Sequence, residues 1–290
     1  MKKSRILRKP TSFARRLRVG EQLIGTIIGS PAPAVVEVLA GSGVDWLFID
    51  GEHGALDSAD LITILQAAGS CPCVVRIPSH DPVWIARALD AGAAGIIVPR
   101  VDSAEQATEI VANAKYPPRG RRGLGLARAH GFGLRFDEYL NSANQETVII
   151  IQAESRIAVE NIDAIAAVAG IDAILIGPND LSASLGCTGE IGSPTVTAAV
   201  DRIMRACRRA GKQVGYYSGN VAGIRRVIKK GVTLPVVCGN LGKQMLTAGV
   251  IDEKKLTDLY AQRGGLDEET KKLVYEEHNG ELKINQQNAN

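Results

Sequence analysis

The residues best suited to chemistry stand together in LFIDGEHG, residues 47–54 of this 290-residue chain. An apolar run there is followed at once by Asp50, Glu52 and His53, among glycines. Imidazole titrates near neutral pH, so His53 could take and return a proton during a reaction. Asp50, or a carboxylate from a neighbouring helix such as Asp90, could orient the ring. The alternative is a structural histidine held in a tight, glycine-flanked turn.

Carboxylates also follow two later apolar runs. Gln152 ends TVIIIQ and Glu154 comes just after it, while Asn179 and Asp180 follow DAILIG. Glu154 and Asp180 could share one hard cation, with water or a substrate oxygen completing the coordination. Oxygen ligands without cysteine favour Mg²⁺ or Mn²⁺ over zinc. For each acid taken alone, a helix cap or a surface ion pair is the alternative.

Arg76 is the second-last residue of the apolar run CVVRI, residues 73–77. A guanidinium in such a place needs an anionic partner to offset the loss of hydration. A small carboxylate substrate could supply that partner through two parallel hydrogen bonds, and so could a neighbouring Asp or Glu. Both readings stay open at this point.

These residues are spaced by a regular alternation of short apolar runs and longer segments of helical period. Continuous apolar strands indicate burial on both faces, as in parallel sheets. Eight strand–helix repeats in about 250 residues predict a closed (β/α)₈ TIM barrel in a single α/β domain, and a doubly wound open sheet is the competitor. The predicted strands are 23–29, 45–50, 73–77, 95–99, 147–152, 172–177, 213–218 and 234–239.

In such a barrel the loops after the strands build the active-site face. The chemistry-bearing residues should therefore converge there, although they are far apart in the chain. The strand-end set comprises Asp50, Glu52, His53, Arg76, Pro99, Arg100, Gln152, Glu154, Asn179 and Asp180.

Several classes of protein are disfavoured. The net charge is only +3, which predicts no nucleic-acid partner, and no apolar run reaches the length of a membrane span. No predicted strand ends in a lysine, as a Schiff-base aldolase requires, and there is no Gly-x-Ser-x-Gly elbow. The basic, glycine-rich segment 118–133 lacks the spacing of a phosphate loop, and we predict an active-site or interface loop.

The two ends differ from the middle in composition. We predict a frayed basic arm over residues 1–20, with a transit peptide or an acidic-surface contact as alternatives, a barrel over 21–264 and a polar extension over 265–290. Five scattered cysteines, mostly in apolar surroundings, indicate a reducing compartment, and we predict a cytoplasmic protein.

Long ordered blocks of the chain resemble one family. FIDGEHGALD, VVRIPSHDPVWIARALDAGAAGIIVPR, YPPRGRRG and IIIQAESRIAVENIDAIAAVAGIDAILIGPNDLSASLG look like the HpcH/HpaI aldolase and citrate lyase family, in its metal-dependent pyruvate aldolase branch. The resemblance runs from about residue 13 to about residue 250. It implies a (β/α)₈ barrel, commonly a hexamer, in which a divalent cation holds pyruvate while an enolate forms.

The resemblance also implies roles for individual residues. Glu154 and Asp180 resemble the metal ligands, here Mg²⁺ or Mn²⁺, and His53 resembles the acid–base residue. Asp90 resembles the carboxylate that makes the histidine more basic, and Arg76 resembles the group that stabilises the enolate and the aldol oxyanion. Gln152 and the backbone of Asn179, beside Asp180, resemble the groups that contact pyruvate.

The activity implied is reversible cleavage of a 4-hydroxy-2-oxo acid to pyruvate and an aldehyde, either a semialdehyde from aromatic breakdown or a sugar-acid fragment. A CoA-ester lyase or oxaloacetate decarboxylase with the same site, or an inactive barrel that only binds, are the alternatives. The chain departs from the family at Asn240, where relatives often carry aspartate, and in its tail beyond Leu266.

Overall fold

Eight parallel strands close into a barrel in which β1 pairs with both β2 and β8. The computed structural model describes residues 12–219, 221–237, 275–278 and 281–284. The predicted (β/α)₈ barrel is confirmed, and the open-sheet alternative is wrong, because the β1–β8 pairing leaves no free edge. The strands are β1 Gly25–Ile28, β2 Trp46–Asp50, β3 Cys73–Arg76, β4 Gly95–Val98, β5 Val148–Ala153, β6 Ala173–Ile176, β7 Gln213–Ser218 and β8 Leu234–Val237.

Helices alternate with these strands, and several begin with a local capping signal. Asp57 and Asp60 form a reciprocal capping box on the helix Ser58–Ala67, and Ser193 caps the helix Pro194–Ala210 through the N–H of Val196. The helices are α1 Phe13–Arg18, α2 Pro33–Gly41, α3 Ser58–Ala67, α4 Pro82–Asp90, α5 Ala104–Ala114, α6 Phe136–Glu146, α7 Arg156–Glu160, α8 Ile162–Ala167, α9 Pro178–Ser184, α10 Pro194–Ala210 and α11 Val221–Lys229, with a short 3₁₀ helix at Arg128–His130.

Alternation along each strand divides the core into two layers. On β2, Trp46 and Phe48 belong to the cluster inside the barrel, whereas Leu47 and Ile49 pack against the surrounding helices. The same period places Asp50, the next inward position, at the top of the barrel interior. Inward polar side chains at strand ends are therefore a direct consequence of the twofold period.

Helix α1 covers the opposite end of the barrel. Phe13 and Leu17 are buried in the inner cluster, beside the first residues of several strands. Arg18 pairs with Asp172, just before β6, at 2.7 Å. Residues 13–18, which fall within the segment predicted as a basic arm, are therefore packed against the barrel, because their apolar side chains cover its open end.

Other predictions for the termini lie largely outside the described residues. Residues 1–11, Cys238 and Asn240 are among those not described, and of the predicted C-terminal extension only a two-stranded antiparallel pair is, β9 Tyr275–His278 with β10 Glu281–Ile284. Within the described ranges, no helix combines the length and apolar character needed to cross a membrane.

Candidate active site

Arg76 and Asp50 form the centre of the site. They are register partners on the neighbouring strands β3 and β2, and both occupy inward-facing positions, two residues after Val74 and Phe48 of the inner cluster. Arg76 donates from Nε to Asp50 Oδ1 at 2.9 Å and from Nη2 to Asp50 Oδ2 at 2.7 Å, and its guanidinium lies over the Phe48 ring. The partner that a buried guanidinium needs is thus a neighbouring acid, one of the two readings of the sequence.

Asp50 also shapes the turn that follows β2. Its Oδ1 accepts hydrogen bonds from the backbone N–H groups of Glu52 and His53, each at 3.1 Å. Burial alone would raise the pKa of Asp50, but the hydrogen bonds and charge of Arg76 and the two N–H donors outweigh it, so the pKa is lowered. A Cβ at Gly51 would lie 2.7 Å from the Arg76 carbonyl oxygen, so only glycine fits this turn.

Glu52 is a site residue to which the sequence analysis assigned no role. Its side chain is 10% exposed, and its Oε2 lies 3.2 Å from Arg76 Nη1 and 3.9 Å from His53 Nε2. Among the described residues no hydrogen bond reaches this oxygen. The signal that could have identified Glu52 is its place one residue before His53, on the turn built by Asp50.

Of Glu154 and Asp180, the two acids that follow β5 and β6, Glu154 is the more buried. Its Oε1 accepts a hydrogen bond from the Arg100 N–H at 2.8 Å, and its Oε2 accepts one from Gln152 Nε2. Burial raises the pKa of Glu154, and the negative charge of Asp180 adds to that rise despite the Arg100 hydrogen bond. The two carboxylates are therefore electrostatic neighbours, and a cation between them would stabilise the charged form.

A cavity of about 600 Å³ opens over these residues. Phe48 and Tyr217 supply apolar and aromatic wall, and Gly177, against which Glu154 packs, is also part of the lining. The predicted residues that line it are His53, Arg76, Gln152, Asn179 and Asp180, together with Asp50. Residues separated by up to 130 positions in the chain thus meet at one end of the barrel.

Known proteins that are similar to this chain point to one family. A sequence model of the HpcH/HpaI aldolase/citrate lyase family matches residues 24–246. The chain belongs to this family. A hydroxypyruvate/pyruvate aldolase of Pseudomonas aeruginosa is 41% identical over 229 residues, which cover 78% of this chain and 85% of that protein. A 2-keto-3-deoxy-L-rhamnonate aldolase of Klebsiella pneumoniae is 42% identical with the same coverage.

Solved structures give the same result. A HpcH/HpaI aldolase/citrate lyase family protein from Burkholderia cenocepacia J2315 superposes with a TM-score of 0.76 and 35% identity, over 85% of this chain and 98% of that one. The family resemblance drawn from the sequence motifs is confirmed.

One of the predicted site residues, Asp90, lies away from the cavity. Asp90 is the last residue of α4, and α4 runs back from the active-site end of the barrel, so Asp90 lies towards the other end. Its carboxylate is 2.5 Å from Nη2 of Arg122, a buried guanidinium stacked on Tyr116. Within this chain, the predicted contact between Asp90 and His53 is replaced by these partners, and Glu52 is the carboxylate that lies beside His53.

The donor set decides which metal the family site could hold. Across the described residues no group of three His, Cys, Asp or Glu side chains is arranged as a metal site. Glu154 and Asp180 are two carboxylates close enough to influence each other electrostatically, and they could serve as oxygen donors; Asp180 lines the cavity. Two carboxylates suit a hard divalent cation, and such a cation would favour the charged form of Glu154, whose pKa is raised mainly by burial and further by the charge of Asp180.

Proposed function

We propose that this chain is a pyruvate-type aldolase, a carbon–carbon lyase that reversibly cleaves a 4-hydroxy-2-oxo acid to pyruvate and an aldehyde. The observation that carries the proposal is the meeting of His53, Arg76, Gln152 and Asp180 on one cavity, with Glu154 against its wall. The names of the Pseudomonas and Klebsiella relatives support this activity. We propose that Glu154 and Asp180 hold Mg²⁺ or Mn²⁺, which when bound supplies Lewis-acid polarisation of the 2-oxo group.

The substrate would be held by the polar wall of the cavity. The Gln152 amide and the Asn179 backbone N–H would contact the 2-oxo acid, since both residues line the cavity beside the two carboxylates. Phe48 and Tyr217 restrict the remaining space. This arrangement leaves the carbon–carbon bond to be cleaved facing His53 and Arg76.

His53 and Arg76 would act on the charges of the reaction. In cleavage His53 takes the proton of the 4-hydroxyl group, the C3–C4 bond breaks, and C4 becomes the carbonyl carbon of the aldehyde. The electron pair of the broken bond passes into the enolate of pyruvate, which then takes up at C3 the proton held by His53. The His53 side chain is 60% exposed, so a bound water can link it to the substrate. Arg76 supplies a fixed positive charge near the developing oxyanion, an effect worth about 3–4 kcal/mol per donor.

The experiment that tests the proposal is exchange of the pyruvate methyl protons with deuterium, followed by NMR with Mg²⁺ or Mn²⁺ added. We expect exchange that EDTA abolishes. Glu154→Ala should lose cation binding in calorimetry, whereas His53→Ala should retain binding and lose turnover of hydroxy-oxo acids. A His53→Ala enzyme with unchanged turnover would contradict the assignment, and no exchange with any divalent cation would favour the inactive barrel.

The main competing activity is lysis of a CoA ester, because the family description includes citrate lyases. It would use the same enolate, so the site residues are shared. Purified protein should be given malyl-CoA in parallel with a panel of hydroxy-oxo acids. Release of acetyl-CoA with the hydroxy-oxo acids left intact would exclude the aldolase in favour of this alternative. A decarboxylase would instead release CO₂ from oxaloacetate.

The proposal includes a homo-oligomer, a hexamer by family resemblance, in the cytoplasm. Large apolar side chains on the segment after Tyr116 are exposed, at Leu124, Leu126, Phe132 and Leu134, which supports contact with another subunit. Light scattering behind a sizing column tests the assembly. Four described cysteines are free thiols, consistent with the reducing compartment that we predict.

A further inference from the structure

Arg100 adopts a backbone conformation that glycine would adopt more easily. It follows β4 directly and has a φ of 53°, in the left-handed region. Its N–H donates to Glu154 Oε1 at 2.8 Å, so this conformation serves the second carboxylate group. A glycine would offer the same N–H without the steric strain of a Cβ, so the backbone role alone does not explain a long cationic side chain here.

The side chain of Arg100 reaches across the rim of the barrel. Its Nε lies 3.8 Å from Glu52 Oε1, and Glu52 follows β2, so the guanidinium passes over the end of β3, which lies between β2 and β4. This side chain is 73% exposed. A separation of 3.8 Å is too long for a hydrogen bond, so the contact with Glu52 is a loose ion pair.

The other guanidinium of the site is already engaged. Arg76 is 10% exposed at its side chain, is bound through two hydrogen bonds by Asp50, and lies 3.2 Å from Glu52. Asp50 and Glu52 stand against Arg76 and Arg100 on this side of the rim, and the cation proposed between Glu154 and Asp180 would offset the charge of those two acids. Because Arg76 already donates to Asp50 and Arg100 makes only the loose contact with Glu52, Arg100 is the guanidinium at this rim with donors left for a second anionic group of the substrate.

We propose that Arg100 is a specificity-determining residue whose guanidinium binds an anionic group on the aldehyde half of the substrate. The enzyme then prefers carboxylated aldehydes to neutral aldehydes of similar size. This inference rests on the proposed aldolase function and adds the substrate class. A planar guanidinium matches a carboxylate through two parallel hydrogen bonds, and loss of the loose Glu52 contact removes little in exchange.

The backbone of Arg100 is held independently of its side chain. His80 donates from Nε2 to the Pro99 carbonyl oxygen at 2.6 Å and so fixes the turn immediately before Arg100. Replacement of Arg100 by glutamine should therefore retain the N–H donor to Glu154 and remove only the charge. This makes Arg100→Gln a selective probe of the guanidinium.

The test compares condensation of pyruvate with glyoxylate, an anionic aldehyde, and with glycolaldehyde, a neutral aldehyde of similar size. For Arg100→Gln we expect kcat/KM with glyoxylate to fall by about tenfold or more, mainly through KM, while the value with glycolaldehyde changes by less than about twofold. Arg100→Lys should recover part of the loss. Arg205→Gln, an exposed arginine on α10, is the matched control and should behave as wild type.

Equal losses with both aldehydes, or no loss with either, would overturn the inference. Should Arg100→Gln fail to fold by circular dichroism, the wild-type enzyme gives the answer in a salt series: added salt should weaken condensation with glyoxylate more than condensation with glycolaldehyde, because pyruvate is the only anionic substrate in the second reaction. Pyruvate proton exchange distinguishes failure of the Arg100 proposal from failure of the aldolase proposal. Exchange without aldehyde discrimination refutes the role of Arg100 alone, whereas absence of exchange and of condensation refutes the aldolase.

Discussion

At the scale of single residues, Asp50 links the parts of the site. Its carboxylate binds the guanidinium of Arg76 and also the backbone of the turn that carries His53. The base and the positive charge proposed to act on the substrate are thus positioned by one buried acid. A change at Asp50 or Arg76 should therefore alter catalysis as well as stability.

Arg76→Lys tests this arrangement. An ammonium cannot make both hydrogen bonds to Asp50 and lies differently relative to the substrate oxygen, so kcat should fall by about 10²–10³-fold. Steady-state kinetics of hydroxy-oxo acid cleavage measure the effect, and Arg205→Lys on the surface of α10 should leave kcat unchanged. Near-wild-type kcat in Arg76→Lys would show that the guanidinium geometry is unimportant.

Gly177→Ala tests the position of Glu154. A Cβ at residue 177 would lie 2.7 Å from Glu154 Oε2 and 3.2 Å from its Cβ, so the carboxylate must move. We expect the Kd for Mn²⁺, measured by calorimetry, to rise by about tenfold or more. Gly192→Ala is the control, because a Cβ there meets no atom within 4 Å. Equal Mn²⁺ affinity in the two variants would argue against Glu154 as a ligand.

At the scale of elements, the connection from α5 to β5 contains a buried cation away from the site. Lys115 is 4% exposed and donates to the carbonyl oxygens of Asn144 and Thr147 at 2.9 and 2.7 Å. Burial lowers its pKa from the ordinary 10.5 to about 8, and the positive charges of Arg18, Arg119 and Arg122 add to this effect against the attraction of Asp172. The lysine thus joins two elements at an electrostatic cost.

This shift has a definite consequence for stability. Between pH 8 and pH 10.5 the unfolded chain binds the Lys115 proton and the folded chain does not, so the free energy of unfolding rises with pH in this window. Relative to Lys115→Met, which does not titrate, wild type should gain up to about 3 kcal/mol. Urea unfolding of both proteins at pH 7.5 and pH 10 measures the gain, and a difference that stays constant with pH would contradict it.

At the scale of the whole molecule, the barrel has one end that carries the candidate active site and one end that is closed. The polar strand-end residues occupy the first, and α1 covers the second with Phe13 and Leu17, where the ring centroids of Phe13 and Trp46 lie 6.0 Å apart. Arg16 also reaches Asp45, just before β2, at 2.7 Å. The barrel core is therefore completed by a segment that precedes its first strand.

Leu17→Ala should reveal this contribution. Leu17 is fully buried, so its truncation should lower the free energy of unfolding by about 2–5 kcal/mol and the Tm by roughly 5–15 °C. Val19→Ala, two residues on and 72% exposed, should change Tm little. Calorimetric melting of both variants provides the comparison, and similar Tm values would mean that α1 is only loosely attached.

The sequence by itself determined the eight strands, the barrel and the strand-end set. These follow from local patterns, since continuous apolar runs mark strands buried on both faces and a twofold period aims Asp50, Arg76 and Gln152 into the interior.

Only the tertiary structure decided which of these residues meet. Arg76 had two possible partners in the sequence, and strand register selected Asp50. Asp90 was expected beside His53, but the direction of α4 carries it towards the far end, to Arg122. Arg100 gained its place over β3 from the order of the strands. Contacts of this kind depend on chain closure and element direction, which connect residues too far apart for any local pattern to relate.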